Sequence, residues 1–220
     1  MKPSIIIRRE APADHRSVET LTREAFWNLH GPGCDEHYLA HVLREADDCI
    51  AALDYVAEAD GDIVGNIMYT RSRIALDRGG ALPTITFGPL SVLPACQKQG
   101  VGSALVRHTL ALANELSWNA VLIYGDPAYY SRLGFVPAER FGIATEHNEY
   151  HAALQAFELR PGALAQAAGR FFEASAYQID GNAAAAFDQT FPPKEKRSGT
   201  PSQLRFEQIV AMRRPRNEAQ

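Results

Sequence analysis

The sequence predicts an α/β fold, a mixed and mostly antiparallel sheet that needs helices to cover both of its faces. Three observations carry the prediction. β-rich runs stand on either side of Asp60-Gly61, the signature of a hairpin. Residues 101 to about 116 repeat apolar side chains at helical spacing directly after a strand. Ala120-Val121-Leu122-Ile123-Tyr124 is a continuous apolar run of strand length, as expected for a strand buried on both faces.

The elements follow in order. Residues 4–9 read as a first strand. Pro12 suits the opening turn of a helix, Asp14 there is favoured by the helix dipole, and Val18, Leu21 and Ala25 recur at helical spacing. Gly31-Pro32-Gly33 breaks the pattern, and Asp35 is placed to cap a second helix carrying Tyr38, Leu39, Val42 and Leu43. Strands are expected at Tyr55–Glu58 and Ile63–Ile74, then after the turn Asp77–Gly80 at Thr84–Val92. The next helix should show Val101, Leu105, Leu112 and Leu116 along one face. Gly125-Asp126-Pro127 ends the apolar strand and opens a helix of about two turns, stopped at Gly134, before Phe135-Val136-Pro137 resumes extended chain. Beyond Pro161-Gly162 the chain turns alanine-rich. Phe171-Phe172 and the polar stretch Pro192–Arg197 follow, and Leu204–Met212 reads as one last strand.

Composition narrows the function. With 46% apolar and 22% charged residues in 220, the chain has ordinary globular chemistry. A net charge of −4 gives no global attraction to nucleic acid or anionic lipid, so neither is an expected partner. Cys34, Cys49 and Cys96 form neither a disulfide framework nor a thiolate metal site and fit a reducing compartment. Ile5-Ile6-Ile7 is too short for a leader or a membrane span, so the cytoplasm is the expected location. His37 and His41 lie four apart, yet two histidines do not close a metal site, and none is expected.

The chemistry concentrates at Gln97-Lys98-Gln99-Gly100-Val101-Gly102, between a strand and a helix. First-turn amides and the positive end of the helix dipole attract phosphate oxygens. Glycines at 100 and 102 let those oxygens approach the backbone, and Ser103 and Gln97 add side-chain donors. The segment lacks the Gly-Lys-Ser/Thr of a nucleotide-binding P-loop. It also lacks the third glycine of the dinucleotide fingerprint, since Leu105 stands there.

The run from Leu90-Ser91-Val92-Leu93-Pro94 through Gln97-x-x-Gly100-x-Gly102 resembles the acetyl-CoA motif of the GNAT family of N-acetyltransferases. Asp126-Pro127-Ala128-Tyr129-Tyr130-Ser131-Arg132-Leu133-Gly134-Phe135 is similar to that family's aromatic-Tyr-x-x-x-Gly-Phe segment. The Gly-Asp-Pro-Ala-Tyr-Tyr form, followed by Phe157–Leu164, resembles a YhbS-like bacterial subgroup. The likeness covers residues 4–165, implying a GNAT domain over 1–165 and a C-terminal extension over 166–220 packed on it. It implies acetyl-CoA as cosubstrate, pantetheine pairing with the backbone around Leu90, Ser91 and Val92, and a diphosphate held by Gln97, Lys98, Gln99, Gly100, Val101, Gly102 and Ser103. Gly88-Pro89 is the expected place for a strand bulge.

Acetyl transfer to an amine sets further demands. A lysine-like amine with pKa about 10.4 is neutral only about one part in a few thousand at pH 7, so a base is needed. The oxyanion needs a donor, such as a backbone N–H near Leu90 or Ser91. The resemblance places Tyr130 beside the coenzyme sulfur, where it serves as acid to the thiolate, with Tyr129 as packing. Thr84–Val92 holds no carboxylate where many relatives keep a glutamate. Glu36 is therefore the candidate base, with Glu24, His37 and relayed water as alternatives. Cys96 reads as packing. The acceptor is expected to be a primary amine on a small molecule or peptide. A non-catalytic acyl-CoA sensor, a longer acyl donor and a homodimer stay open.

Overall fold

The computed structural model describes residues 5–216; the outer ends of the expected first strand and of the C-terminal extension lie outside them. The chain opens with β1 (Ile5–Arg9), α1 (His15–Phe26) and α2 (Glu36–Leu43). β2 (Tyr55–Ala59), β3 (Asp62–Leu76), β4 (Ala81–Val92) and α3 (Val101–Glu115) follow. Next come β5 (Ala120–Tyr124), α4 (Pro127–Tyr130), β6 (Val136–Pro137), β7 (Ile143–Ala144), β8 (Glu149–His151) and β9 (Leu154–Glu158). The last elements are β10 (Gly169–Phe172), α5 (Gly181–Asp188), α6 (Pro201–Ala211) and β11 (Arg213–Pro215). Hydrogen-bonded strands follow the order β1-β2-β3-β4-β5-β9-β6, with β10 joined to β3 and β7, and β11 paired separately with β8. The sheet is mixed: β4–β5 and β7–β10 are parallel, whereas β1–β2, β2–β3, β5–β9, β6–β9 and β3–β10 are antiparallel.

Two compact units divide the chain, and β3, β4 and α3 run through both. The first unit takes the chain up to Tyr69, with Gly88–Thr109 and Ser175–Leu204. Its hairpin closes where expected, Asp60 and Gly61 both at positive φ, the arrangement that matches the twist of paired strands. Leu39, Ala40, Leu43 and Met68 form a core patch that Tyr177 and Ile179 help to cover. Several polar groups in this unit are buried in pairs. Tyr69 and Thr109 share a 2.9 Å hydroxyl bond, and Arg44 bridges Glu10 at 2.7 Å and Glu19 at 3.2 Å.

The second unit takes Thr70–Phe87, Leu110–Ala174 and the chain from Arg205 onward. Its core gathers Ile74, Leu122, Ile143, Leu154, Leu164 and Phe171, among others. β5 is buried from Ala120 to Ile123, as its continuous apolar run predicts, and is flanked by β4 at Ile85↔Val121 and by β9 over its whole length. β10 adds Gly169–Phe172 to Leu76–Arg73 of β3, so residues beyond 166 supply a strand to this unit and two helical segments to the first.

Two expectations are corrected. Leu204–Met212 is not a strand but most of α6, and the last strand is the three-residue β11. The cause is local. Thr200 and Gln203 form a reciprocal capping box, each side chain accepting from the other's backbone N–H at 3.3 Å, with Pro201 at the first helical position. On α3 the buried stripe runs through Val101, Leu105, Val106, Thr109, Leu110 and Ala113, while Leu116 lies past the helix end and is 50% exposed. Helical spacing alone would keep position 116 on the buried face, between Leu105 and Thr109; Leu116 is exposed because the helix ends at Glu115, one residue before it.

Candidate active site

The glycine segment lies in the first unit. Pro94–Cys96 form a 3₁₀ turn, and Lys98 and Gly100 both take left-handed backbone, at φ 59° and 95°. The first bond of α3 runs from Ala104 N to Gly100 O at 2.9 Å. The amides of Val101 and Gly102 thus precede the helical ladder at the positive end of the dipole. No atom lies within 4 Å of where a side chain on Gly100 would begin, and residues 97–100 are exposed. The two glutamines shape the turn from within: Gln97 Nε2 donates to Val92 O at 3.1 Å and Gln99 Nε2 to Ala95 O at 2.8 Å. Ser103 is half-buried in the first turn. On β4, Leu90 and Val92 are half-buried, whereas Ser91 is fully buried, its hydroxyl 2.9 Å from that of Thr22. The expected bulge site Gly88-Pro89 is a cis peptide bond, and Gly88 O accepts from the Tyr177 hydroxyl at 3.1 Å.

Tyr130 lies in the second unit, on the elbow after β5. Asp126 caps this elbow, accepting from Ala128 N at 2.8 Å, and is held by Arg205 through two bonds of 3.0 and 3.2 Å. The expected two-turn helix is one α-turn, Pro127–Tyr130, then a 3₁₀ turn that stops at Gly134 with φ 91°. Tyr130 packs its ring on the backbone of Gly125, so closely that a Cβ there would sit 2.1 Å from Tyr130 Cε2. Phe87 and Phe135 flank it at centroid distances of 5.9 and 5.6 Å, and Tyr129 meets it edge-on at 4.9 Å. Tyr129 itself takes the Arg132 guanidinium on its ring.

The candidate bases are all in the first unit. Glu36 has both oxygens engaged on its own loop, by His30 Nδ1 at 2.9 Å and Asp35 N at 3.2 Å. Glu24 pairs with Lys194 at 2.6 Å. His37 is fully buried between Phe187 and Phe191, 3.2 Å from Asp188, and burial lowers its pKa so that the imidazole is neutral at pH 7. His41 binds Glu19 instead of sharing a ligand with His37. Among the described residues no three His, Cys, Asp or Glu side chains converge as a metal set, and no helix is long and apolar enough to cross a membrane.

One group escaped sequence reasoning. Glu173, half-buried just past β10, lies within electrostatic reach of Tyr124 at the end of β5. No cation pairs with it among the described residues. Burial, with the charge of Glu146 added, pushes its carboxyl up to about 7. The available signal was the strand period: Glu173 is two residues beyond the buried Phe171, hence on a core-facing register that sequence rarely gives to glutamate.

A strand-glycine turn-helix on a mixed sheet, followed by a tyrosine elbow after the next strand, defines an acetyltransferase of the acyl-CoA type. Residues 53–137 match the acetyltransferase (GNAT) domain family. The Escherichia coli K12 protein named uncharacterized N-acetyltransferase YhbS is 31% identical over 161 residues, which cover 73% of this chain and 90% of that protein. This chain belongs to the GNAT acetyltransferase family. The crystal structure of E. coli YhbS in complex with CoA is 28% identical and superposes with a TM-score of 0.72, covering 82% of this chain and 96% of that one. A GNAT acetyltransferase from Brucella melitensis, solved in complex with acetyl-CoA, gives 27% identity and a TM-score of 0.63 over 79% and 98%.

Proposed function

We propose that this chain moves an acetyl group from acetyl-CoA directly to a primary amine of a small molecule or peptide, with Tyr130 protonating the departing thiolate. Acetyl-CoA is the donor that goes with membership of the family. The observation that carries the residue assignment is the seat of Tyr130: a phenol held against Gly125 by three aromatic neighbours, its backbone fixed by the Asp126 cap. A positioned general acid of this kind contributes typically about 10²–10⁴ in rate. The diphosphate is assigned to Gln97–Ser103, where Gly100 leaves the backbone open and the Val101 and Gly102 amides precede the helical ladder. Gln97 and Gln99 act there by holding the turn, and Lys98 adds an exposed positive charge. Leu90, Ser91 and Val92 are assigned to pantetheine through their backbone, since the Ser91 side chain is already committed to Thr22. For Glu36 a base role would require release from His30 first.

Tyr130→Phe tests the reading. The variant should bind acetyl-CoA as the wild type does, seen as an equal rise in melting temperature, and should lose about 10²-fold or more of amine-dependent CoA release. Unchanged turnover would remove Tyr130 from the mechanism. A sensor, by contrast, would show the thermal shift and no amine-dependent release from the wild type.

A further inference from the structure

We propose that Arg205 of α6 is a positioning residue for Tyr130, acting through the Asp126 cap; the inference rests on the reading of Tyr130 as the acid. The elbow that carries this tyrosine is too short to hold itself. α4 is a single turn, Pro127–Tyr130, and a lone turn fixes several dihedrals for very few hydrogen bonds. Pro127 has no N–H to place. Ala128 N donates to Asp126 Oδ1 at 2.8 Å, and the amides of Tyr129 and Tyr130 donate to Asp126 O at 2.9 and 3.1 Å. Every N–H of the turn thus ends on Asp126, so the orientation of that one residue sets where Tyr130 begins.

Two arginines hold the elbow. Arg132 belongs to it, donating Nε to Ala128 O at 3.1 Å and laying its guanidinium on the Tyr129 ring. Arg205 reaches it from 79 residues away and grips the Asp126 carboxylate with its planar fork, Nε to Oδ2 at 3.2 Å and Nη2 to Oδ1 at 3.0 Å. The helix that presents Arg205 is itself tied to the strand that seats the elbow. Just past α6, Met212 O accepts from Ala152 N at 2.9 Å, and β11 pairs with β8. The next residue, Ala153, accepts from Gly125 N through its carbonyl at 2.9 Å. Gly125, Ala153, Met212, Arg205 and Asp126 therefore lie on one closed circuit of contacts around the seat of Tyr130, all within the second unit.

Core packing does not explain this circuit, because α6 buries only Gln203 and Ile209. The ion pair is not a stability device either: its side chains are 46% and 34% exposed, and such pairs add little to folding. What the fork does is fix a direction. The guanidinium also holds the Asp126 carboxyl below the usual carboxylate range, so the cap stays charged at the N-terminal end of the turn. Rate responds to the position of a reacting group far more steeply than stability does. Loss of Arg205 should therefore leave folding and acetyl-CoA binding intact and appear in turnover.

The test is a mutant cycle read in steady-state CoA release, with spermidine, tyramine and an N-terminal alanine peptide as amines. Arg205→Ala should lower kcat about 5-fold, and so should Asp126→Asn, which loses the charge but keeps a cap oxygen. Together they should cost no more than either alone. KM for acetyl-CoA and its thermal shift should match the wild type. In a Tyr130→Phe background Arg205→Ala should lower kcat no further, since the hydroxyl it positions is gone; a merely structural arginine would cost the same there. Wild-type kcat in Arg205→Ala, a loss carried by KM, full additivity with Asp126→Asn, or an equal fall with and without the Tyr130 hydroxyl would each overturn the positioning role and leave the acid standing. Wild-type turnover in Tyr130→Phe would instead remove the acid, and this role with it. Absence of CoA release from the wild type with all three amines would sink the transferase reading and both assignments.

Discussion

Gly125→Ala is the sharpest probe of the tyrosine elbow, because it changes a residue that carries no chemistry. A Cβ at 125 would lie 2.1 Å from Tyr130 Cε2, 2.6 Å from Cδ2 and 3.2 Å from Cζ. Ordinary contact begins near 3.4 Å, so the ring edge must withdraw by about 1.3 Å, the difference between 3.4 and 2.1. Phe87, Phe135 and Tyr129 leave it no matching alternative seat on that side. A displacement of about 1 Å in a reacting group can cost on the order of 10²-fold in rate, and overpacking of this size typically costs about 1–3 kcal/mol in stability. Gly125→Ala should therefore lower kcat about 10²-fold in a thiol-release assay, with the acetyl-CoA melting shift retained. Combined with Tyr130→Phe it should add little, because both changes remove the same hydroxyl from its place. Wild-type kcat in Gly125→Ala, or full additivity in the double variant, would refute the reasoning.

Two other perturbations read the first unit. Gly102→Asp puts bulk and negative charge where the diphosphate is assigned, and should abolish the acetyl-CoA stabilisation, about 2.7 kcal/mol at 100 times Kd, in a thermal-shift titration. Asp54→Asn reads a buried proton. Burial first, then the bond to Glu10 and its charge, raise the Asp54 pKa to about 8, against an ordinary value of 3.8. Between those values the folded chain holds a proton that the unfolded chain has lost, so stability falls as pH rises from about 4 to about 8, by at most about 1.4 kcal/mol per pH unit. Asparagine mimics the protonated carboxyl. Asp54→Asn should flatten the melting temperature over that range and be the more stable form at pH 8; an unchanged slope would show that Asp54 is ionised in the folded chain.

Sequence was most readable where the signal is local. Asp60-Gly61 specifies a hairpin by its own dihedrals, and the run Ala120–Ile123 declares a strand buried on both faces. The glycine turn belongs here too, since strand, turn and helix follow one another directly. α6 shows the opposite case. Leu204, Phe206 and Val210 looked like strand residues because they are apolar, yet they are exposed by 52%, 37% and 39%, so no core sets their period. What specifies this helix is Thr200-Pro201-Ser202-Gln203 at its start. That signal is also local, and it outweighs apolar patterning in a helix of which only Gln203 and Ile209 are buried.

The unusual carboxyl was illegible for a different reason. β4, the strand that leads into the glycine turn, holds Thr84, Thr86 and Ser91 but no carboxylate. Glu173 comes instead from chain that composition marks as an appendage. Its environment exists only once β10 has paired with β3 and brought Phe171 against Tyr124. Tyr130 could be singled out from sequence because it and the strand end beside it belong to one elbow. Glu173 could not, because its neighbours Tyr124 and Glu146 come from β5 and from the loop after β7, and its elevated pKa is a property of that assembly. A position set by a turn is thus written in one segment, whereas a pKa set by burial and like charge is written in the tertiary structure. Glu146→Gln should therefore bring the Glu173 carboxyl down from about 7 in an NMR titration; an unmoved midpoint would show that burial alone sets it.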